Sequence, residues 1–490
     1  MLREKGGAMA RLNVSTSAVR VVLHRLPAVL LIAFLVFAAF CVTTLLVRHY
    51  QKQAGVGAVD APGAPTAAYG DVLPVGRFTA NLTYTSIAAP GNGEVTSAVA
   101  WDDRWFSLNP FEYNHELATT SSVVAALAYS ESGYYQAGNT QPAYMEKALA
   151  KLGFDKVSTA SYRYRSEIVD EVLNLFTDES DAVAYTIARK HLQVDDGVAP
   201  RDLILVSVRG SYGSEWLSNL KLMPEDAETG SPVEPLADVL TSWMSFVGAL
   251  TGRPATVPAS TSAPAPQLDG TDDHGGYFRA SEEIRAELNR WIAASRDDGA
   301  EVSVLLTGHS RGGAIANLVA AELDDAAAEQ PTRNSSVYAY TFASPATTLS
   351  NQADDARYGN IFNIVNPADI MPYLPLRSWG YERYGTTLYL PAVGEDRFAT
   401  SYEDMRRSYA QTVGVESGYD PEDKRAIDRV SAEVTQQVST VQDLMTPAGI
   451  AAVVASCVSH IDPIRILHGH YPSTYIAWMD ALDANGLTTE

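Results

Sequence analysis

Cysteine is nearly absent from this 490-residue chain, which has Cys41 and Cys457 and no others. Cys41 lies in an apolar run near the N-terminus and Cys457 in the apolar stretch Ile450–Val458. No disulfide is expected, and no Cys/His spacing resembles a zinc site. Positive charge is also scarce. The chain has 36 Lys and Arg against 58 Asp and Glu, a formal net charge of −22. Seven of the basic residues (Arg3, Lys5, Arg11, Arg20, Arg25, Arg48 and Lys52) fall in the first 52 positions beside a single acid, Glu4, so that segment carries +6 and the remainder −28. So acidic a body argues against a nucleic-acid partner and against docking on anionic lipid through the domain surface. No internal repeat is visible, and no metal or organic cofactor is implied.

Long apolar runs are confined to one place. Pro27–Val47 is uncharged over about 21 residues, enough to cross a bilayer as a helix. A secretory signal has a shorter apolar core followed by small residues at a cleavage site, whereas here Arg48-His49-Tyr50-Gln51-Lys52 follows. Five basic residues precede the run and two follow it, so the reading is an uncleaved single-pass anchor with a cytoplasmic N-terminus and an extracytoplasmic body. The expected organisation is a basic segment at 1–26, a transmembrane anchor at 27–47, a linker at 48–76 with an Ala/Gly/Pro-rich tether at Gln53–Ala68, and one domain over 77–490.

Within that domain, periodicity predicts an amphipathic helix from Leu117 (Leu117, Val124, Leu127, Ala128), another over Tyr144–Leu152 and a third over Ser281–Ala294. Strands are expected at Ala182–Ala188, Leu203–Val208, Val302–Leu306, Val337–Phe342 and Ile361–Val365, the second of them buried on both faces. Strands alternating with helices imply an α/β fold, a largely parallel sheet covered on both sides. Two segments read as insertions. The first is Met223–Asp273, with the apolar helix Leu236–Leu250 inside it. The second is Glu395–Thr446, containing a long helix over Pro421–Met445 with Ile427, Val430, Val434, Val438 and Val441 on one stripe.

The strand at 302–306 runs into Gly308-His309-Ser310-Arg311-Gly312 and then a small-residue helix at Gly313–Leu323. A serine on a sharp strand-to-helix turn sits in a strained backbone, and glycines two before and two after it make room for the turn. The pentapeptide alone is a weak signal; the strand–turn–helix setting makes Ser310 a candidate nucleophile. Such a serine needs a base to take its proton and an acid to orient the base, in the chain order Ser, acid, His. Asp369, in a proline-stiffened loop after the strand at 361–365, is the best acid; Asp354 and Asp355 are weaker. His468 and His470 both stand near the C-terminus as candidate bases, and His460 reads as a surface or capping residue. The oxyanion of an attacked carbonyl needs two N–H donors. Arg311 would give one, and Ser211, in the loop Arg209-Gly210-Ser211 after the strand at 203–208, the other.

Val208-Arg209-Gly210-Ser211 with Trp216 and Leu220 resembles the oxyanion-loop signature of the class 3 lipases, a family of α/β-hydrolases. In the same order follow His274-Gly275-Gly276-Tyr277-Phe278, the pentapeptide at 308–312, Tyr340-Thr341-Phe342-Ala343-Ser344-Pro345, Asn366-Pro367-Ala368-Asp369-Ile370-Met371-Pro372, and His470 with Tyr475. The resemblance implies an α/β-hydrolase fold with Ser310, Asp369 and His470 as nucleophile, acid and base, and Ser211 and Arg311 as the oxyanion hole. It also implies a lid in the interval held by Leu236, Leu240, Trp243, Met244, Phe246, Val247 and Leu250. The chain departs from the family at Arg311, usually apolar, at Asn219, often Asp, and at Ala343, commonly Gly. The function expected is cleavage of carboxylic esters, above all lipid esters such as acylglycerols or phospholipids, beside a membrane. An acyltransferase or peptidase using the same three residues, or an inactive tethered scaffold, are the alternatives.

Overall fold

The computed structural model describes residues 73–136, 144–159, 183–193, 199–210, 275–329, 335–440, 443, 447–462 and 465–489. The central strands are β3 (Lys156–Ser158), β4 (Tyr185–Leu192), β5 (Arg201–Val208), β6 (Glu301–His309), β7 (Ser336–Phe342), β8 (Ile361–Val365) and β9 (Thr386–Tyr389). They lie side by side in that order. From β5 to β9 every neighbouring pair is parallel, while β3 and β4 join antiparallel at one edge. The sheet is therefore largely parallel, as the alternation of strand and helix predicted.

Period-two geometry divides the side chains of the buried strands between two cores. Leu203, Leu205, Leu305, Tyr338, Tyr340 and Phe342 face one side. There they meet α1 (His115–Gln136), α5 (Phe398–Val413), α8 (Pro472–Ala481) and an antiparallel hairpin of β1 (Arg77–Thr85) and β2 (Glu94–Asp102). Ile204, Val206, Val304, Leu306, Val337 and Ala339 face the other side. Ile284 and Leu288 of α3 (Gly275–Asp297) and Ile315, Leu318 and Val319 of α4 (Arg311–Glu329) cover them. Apolar residues in both parities are what a strand between two helical layers requires. A short helix, α2 (Tyr144–Lys151), packs Met145, Ala148 and Leu149 into the first core.

A third, smaller core lies beyond the sheet. Ile427, Val430 and Val434 of α6 (Asp423–Gln437) and residues of α7 (Pro447–His460) close over Ile370 and Leu376 on one side and Ile466 on the other. Of the stripe expected on α6, Ile427, Val430 and Val434 are buried on the helix and Val438 caps it, whereas Val441 lies outside the described residues; the helix stops at Gln437 rather than Met445. Thr440 and Asp443 exchange side-chain-to-backbone bonds, Thr440 N to Asp443 Oδ2 and Asp443 N to Thr440 Oγ1, both 3.1 Å. Of the segment 395–446, α5 belongs to the main core, where Met405, Tyr409 and Val413 pack.

The strand expected at Ala182–Ala188 runs instead over Tyr185–Leu192, through the polar Arg189-Lys190-His191. Lys190 explains the extension. Its ammonium is fully buried against Asp103 at 3.1 Å and donates to the carbonyls of Pro74 (2.9 Å) and Leu152 (2.8 Å). Asp103 in turn accepts from Trp101 Nε1 (2.8 Å), Gly76 N (2.7 Å) and Gln193 N (3.1 Å). Every polar atom of the pair is matched, which is the condition under which a buried charge is tolerated.

The expected anchor at 27–47, the segment 223–273 and residue Ser211 lie outside the described residues. Among the described residues no helix is long and apolar enough to cross a membrane.

Candidate active site

β6 ends at His309 and α4 begins at Arg311, so Ser310 alone makes the turn between them, with φ of 58°. A non-glycine residue at positive φ is strained and persists where its surroundings over-determine it. Two neighbours do so here. Ser310 N donates to Phe342 O at the end of β7 (2.9 Å), and Ala314 N donates back to Ser310 O (3.1 Å). The flanking glycines are required by close approach. A methyl on Gly308 would run into the Gly312 carbonyl, and one on Gly312 into the Val208 carbonyl and Arg209. The helix can pass the end of β5 only because both lack Cβ.

Ala343, at the matching end of β7, also has positive φ, 52°. This is the position where the resembling family commonly carries Gly, and the left-handed backbone supplies the reason.

Asp369 is completely buried in the loop after β8. Its Oδ1 accepts from Met371 N (2.9 Å), and its Oδ2 accepts from His470 Nδ1 (2.8 Å) and from the Tyr475 hydroxyl (2.8 Å). Burial, followed by the nearby Asp369 charge, pushes the Tyr475 phenol well above its ordinary value, so it stays an O–H donor. Asn366 fixes the loop: its Oδ1 accepts from Ala368 N (3.1 Å) and the Tyr419 hydroxyl (3.1 Å), and its Nδ2 donates to Gly469 O (2.8 Å). The acid loop is thus bonded directly to the loop carrying the histidines. Arg383 bridges neighbouring loops, donating from Nη1 to Pro372 O (2.6 Å) and Ser344 O (3.2 Å).

His470 closes the helical turn Leu467–His470, just before α8. With Nδ1–H directed at Asp369, its Nε2 accepts from the Ser310 hydroxyl at 3.0 Å. His468, the other candidate base, points elsewhere: its ring lies against Gly418 and 5.1 Å from the Tyr471 ring. His460 bonds Glu433 on α6 (2.7 Å), and Asp354 and Asp355 are exposed in their loop. The structure therefore brings Ser310, His470 and Asp369 into one hydrogen-bonded line and leaves the weaker candidates outside it.

Arg311 opens α4, the helix end where N–H groups face outward and partial positive charge collects. On the other side of the turn, Gly210 ends the described part of the loop after β5. A methyl there would collide with the Tyr129 hydroxyl, and would stand 2.5 Å from His309 O. His309, the residue before the serine, is buried (2% exposed). Its Nδ1 pairs with the Tyr129 hydroxyl (3.0 Å), and its ring centroid lies 4.8 Å from that of His470. Burial first, then the neighbouring His470, holds its basicity well below the usual histidine range. Tyr129 was not legible as a site residue, since in sequence it is one apolar-face residue of a helix among several.

A family model described as "Lipase (class 3)" matches residues 205–379, which include Ser310, Arg311 and Asp369. This match over residues 205–379 agrees with the class 3 lipase resemblance carried by the sequence motifs. His470 lies beyond the matched residues, so its place in the site rests on geometry. A rice protein (Oryza sativa subsp. indica) named phospholipase A1 EG1, chloroplastic/mitochondrial, is 28% identical over 197 residues, 37% of this chain and 40% of that protein. The chain thus spans about two fifths of the length of this relative. Among solved structures, the triacylglyceride lipase of Rhizomucor miehei is 18% identical, covering 57% of this chain and 82% of its own, with a TM-score of 0.33. The mono- and diacylglycerol lipase of Aspergillus oryzae is also 18% identical, covering 57% and 81%, with a TM-score of 0.29.

Proposed function

We propose that this chain is a serine-dependent carboxylic ester hydrolase that acts on lipid esters, acylglycerols or phospholipids. The observation that carries the reading is the line Ser310 Oγ–His470 Nε2–Asp369 Oδ2, with steps of 3.0 and 2.8 Å. A serine hydroxyl is a poor nucleophile until a base removes its proton, and this line supplies the base and fixes its tautomer. Ser310 attacks the ester carbonyl as His470 takes the proton. The N–H groups of Arg311 and Ser211 hold the developing oxyanion, and His470 then protonates the leaving alcohol. Water releases the acyl group by the same relay. Met371 N and Tyr475 keep both Asp369 oxygens engaged, so the carboxylate orients His470 without turning.

The rice relative's name puts phospholipids first among substrates to try. The test is a panel of p-nitrophenyl esters, triacylglycerol emulsion and phosphatidylcholine vesicles, with wild type and Ser310→Ala. Loss of turnover by at least about 10⁴-fold in Ser310→Ala is expected. Undiminished turnover in Ser310→Ala would end the reading, and acyl transfer to added alcohol in preference to water would recast it as a transferase.

The run at 27–47 supports membrane tethering of the domain, and the apolar run 236–250 supports a lid. The full chain should sediment with membranes and a chain beginning at residue 53 should not. Deleting residues 230–268 should abolish activation at a lipid surface. Retained sedimentation or retained activation, respectively, would remove each assignment.

A further inference from the structure

His309 has an unusual set of surroundings for a histidine. Its ring is enclosed by three others: Tyr129 at 5.8 Å between centroids, Tyr475 at 5.6 Å and His470 at 4.8 Å, the last tilted by 45°. The Tyr129 and Tyr475 rings meet it edge-on, at 73° and 82°. One nitrogen, Nδ1, is paired with the Tyr129 hydroxyl, and the other, Nε2, is buried with no hydrogen-bond partner. An orphaned polar atom in a closed site costs free energy that an apolar side chain of similar size would avoid. The same hydroxyl of Tyr129 is packed against Gly210, at the root of the loop that leads to Ser211.

We infer that His309 is a positioning residue for the base: its imidazole, fixed by the Tyr129 hydroxyl, packs against the His470 ring and holds it in place while it carries the proton taken from Ser310. Three neighbours of the His470 ring are then defined, Asp369 at Nδ1, Ser310 at Nε2 and the tilted His309 ring at 4.8 Å between centroids. A cation over an aromatic face is favoured, whereas a second cation in the same place would oppose it. His309 must therefore stay neutral, and the groups that face it permit this: Tyr129 from α1, His470 from the helical turn and Tyr475 from α8 bring no carboxylate to its ring nitrogens. Burial, and second the charge of the adjacent His470, disfavour its protonation and outweigh a contact with the His470 backbone that favours it. The Tyr129 hydroxyl, lodged between His309 and Gly210, sets the base and the oxyanion loop from one point.

This inference rests on reading Ser310, His470 and Asp369 as the relay, and the readout is chosen to keep the two apart. The rate at which a fluorophosphonate labels Ser310 reports the reactivity of the serine without reference to the natural substrate. If wild type is not labelled at Ser310, the relay reading fails. If wild type is labelled, the variants test His309. His309→Leu, which removes ring and nitrogens together, should slow labelling about 10-fold and move the acid limb of its pH profile to lower pH, because the His470 imidazolium loses its support. His309→Phe, which restores a ring face, should recover most of the shift in the limb. Tyr129→Phe should slow labelling by a smaller factor, and its effect should vanish in a His309→Leu background. A folded His309→Leu protein with the wild-type rate and acid limb overturns the inference. Should that variant fail to fold, histidine-selective ¹⁵N spectra of the wild type decide. His309 must keep neutral-imidazole shifts from pH 5 to 9, and a His309 that titrates in that range overturns it.

Discussion

Ser310 and His470 stand 3.0 Å apart, yet the chain places them by different means. The serine is set mainly by its immediate neighbours, a strand, a one-residue turn at positive φ, two glycines and a helix within residues 301–329, with one bond to Phe342 O and close passage by Val208 from the adjoining strands. The histidine arrives on a turn of four helical residues whose position is dictated from a distance. Asn366 bonds Gly469, Arg465 pairs with the buried Asp423 at the start of α6, and Ile466 is packed in the third core with Ile370 of the acid loop. Burial raises the Asp423 carboxyl and the Arg465 guanidinium draws it back down, so the pair fastens α6 to the histidine loop. Trp379 Nε1 fastens the other end of α6, donating to Val438 O (2.9 Å). A locally encoded nucleophile thus meets a base positioned by tertiary packing. The first should break on a single methyl group, and the second should loosen by degrees.

The largest effect is therefore expected in the turn. Gly312→Ala drives a methyl into the Val208 carbonyl and should cut turnover by about 10²-fold or more, since small displacements of a reacting group are costly. Retention of more than a tenth of wild-type kcat would mean that the turn relaxes and is less rigid than its contacts imply. A weaker effect is expected on the base side. Arg465→Met should lower kcat about 10-fold with KM little changed, and the exchange Arg465→Asp with Asp423→Arg should restore part of it. An unaltered kcat in folded Arg465→Met would separate the third core from catalysis.

The smallest effect belongs to a control on the nucleophile's own helix. Asp324 lies 14 residues along α4 from Ser310, about 21 Å away along the helix axis. Burial, against a bond from Asn360 Nδ2, raises its carboxyl from 3.8 to about 7. The second Asp324 oxygen and the Asn360 side-chain Oδ1 are both buried without a donor. Because the folded value lies above the unfolded one, the folded protein retains a proton that the unfolded chain releases. This contribution is complete below about pH 4 and is lost as pH rises through 7. Asp324→Asn should thus raise Tm at pH 8 by about 2–4 °C, leave it unchanged near pH 4 and leave kcat unchanged. An equal gain at both pH values would refute the assigned protonation.

How much was legible in the sequence follows the same division. The strand at 361–365 and the pentapeptide turn could be read to the residue because period-two burial and glycine spacing are local signals. Asp369 was legible from its place after a buried strand. The choice between His468 and His470 was not legible from residues alone, because it depends on Gly418 and Asn366, each more than 45 positions away from the pair. Lys190 hid the end of β4, since a lysine in a run of polar residues gives no sign that Asp103 awaits it. The β1–β2 hairpin went unread because its alternation is blurred by the polar Ser97 on the buried side and the apolar Ala98 on the exposed side, with the rest of the buried side given by Leu82, Tyr84, Val95 and Val99. Tyr129 and its hydroxyl contact to His309 likewise emerge only when helix and sheet are brought together.

The matched charges at Lys190 and Asp103 have a mechanical meaning. Through the Pro74 carbonyl and Gly76 amide they rivet the first described residues to β4. Lys190 pairs in register with Leu203, and Leu203 with Ser303, so the rivet lies seven residues, about 23 Å, below Ser310 along the strand direction. Traction applied through the N-terminal segment would meet this rivet first, at the foot of the sheet and far from the hydrogen-bonded line at its head.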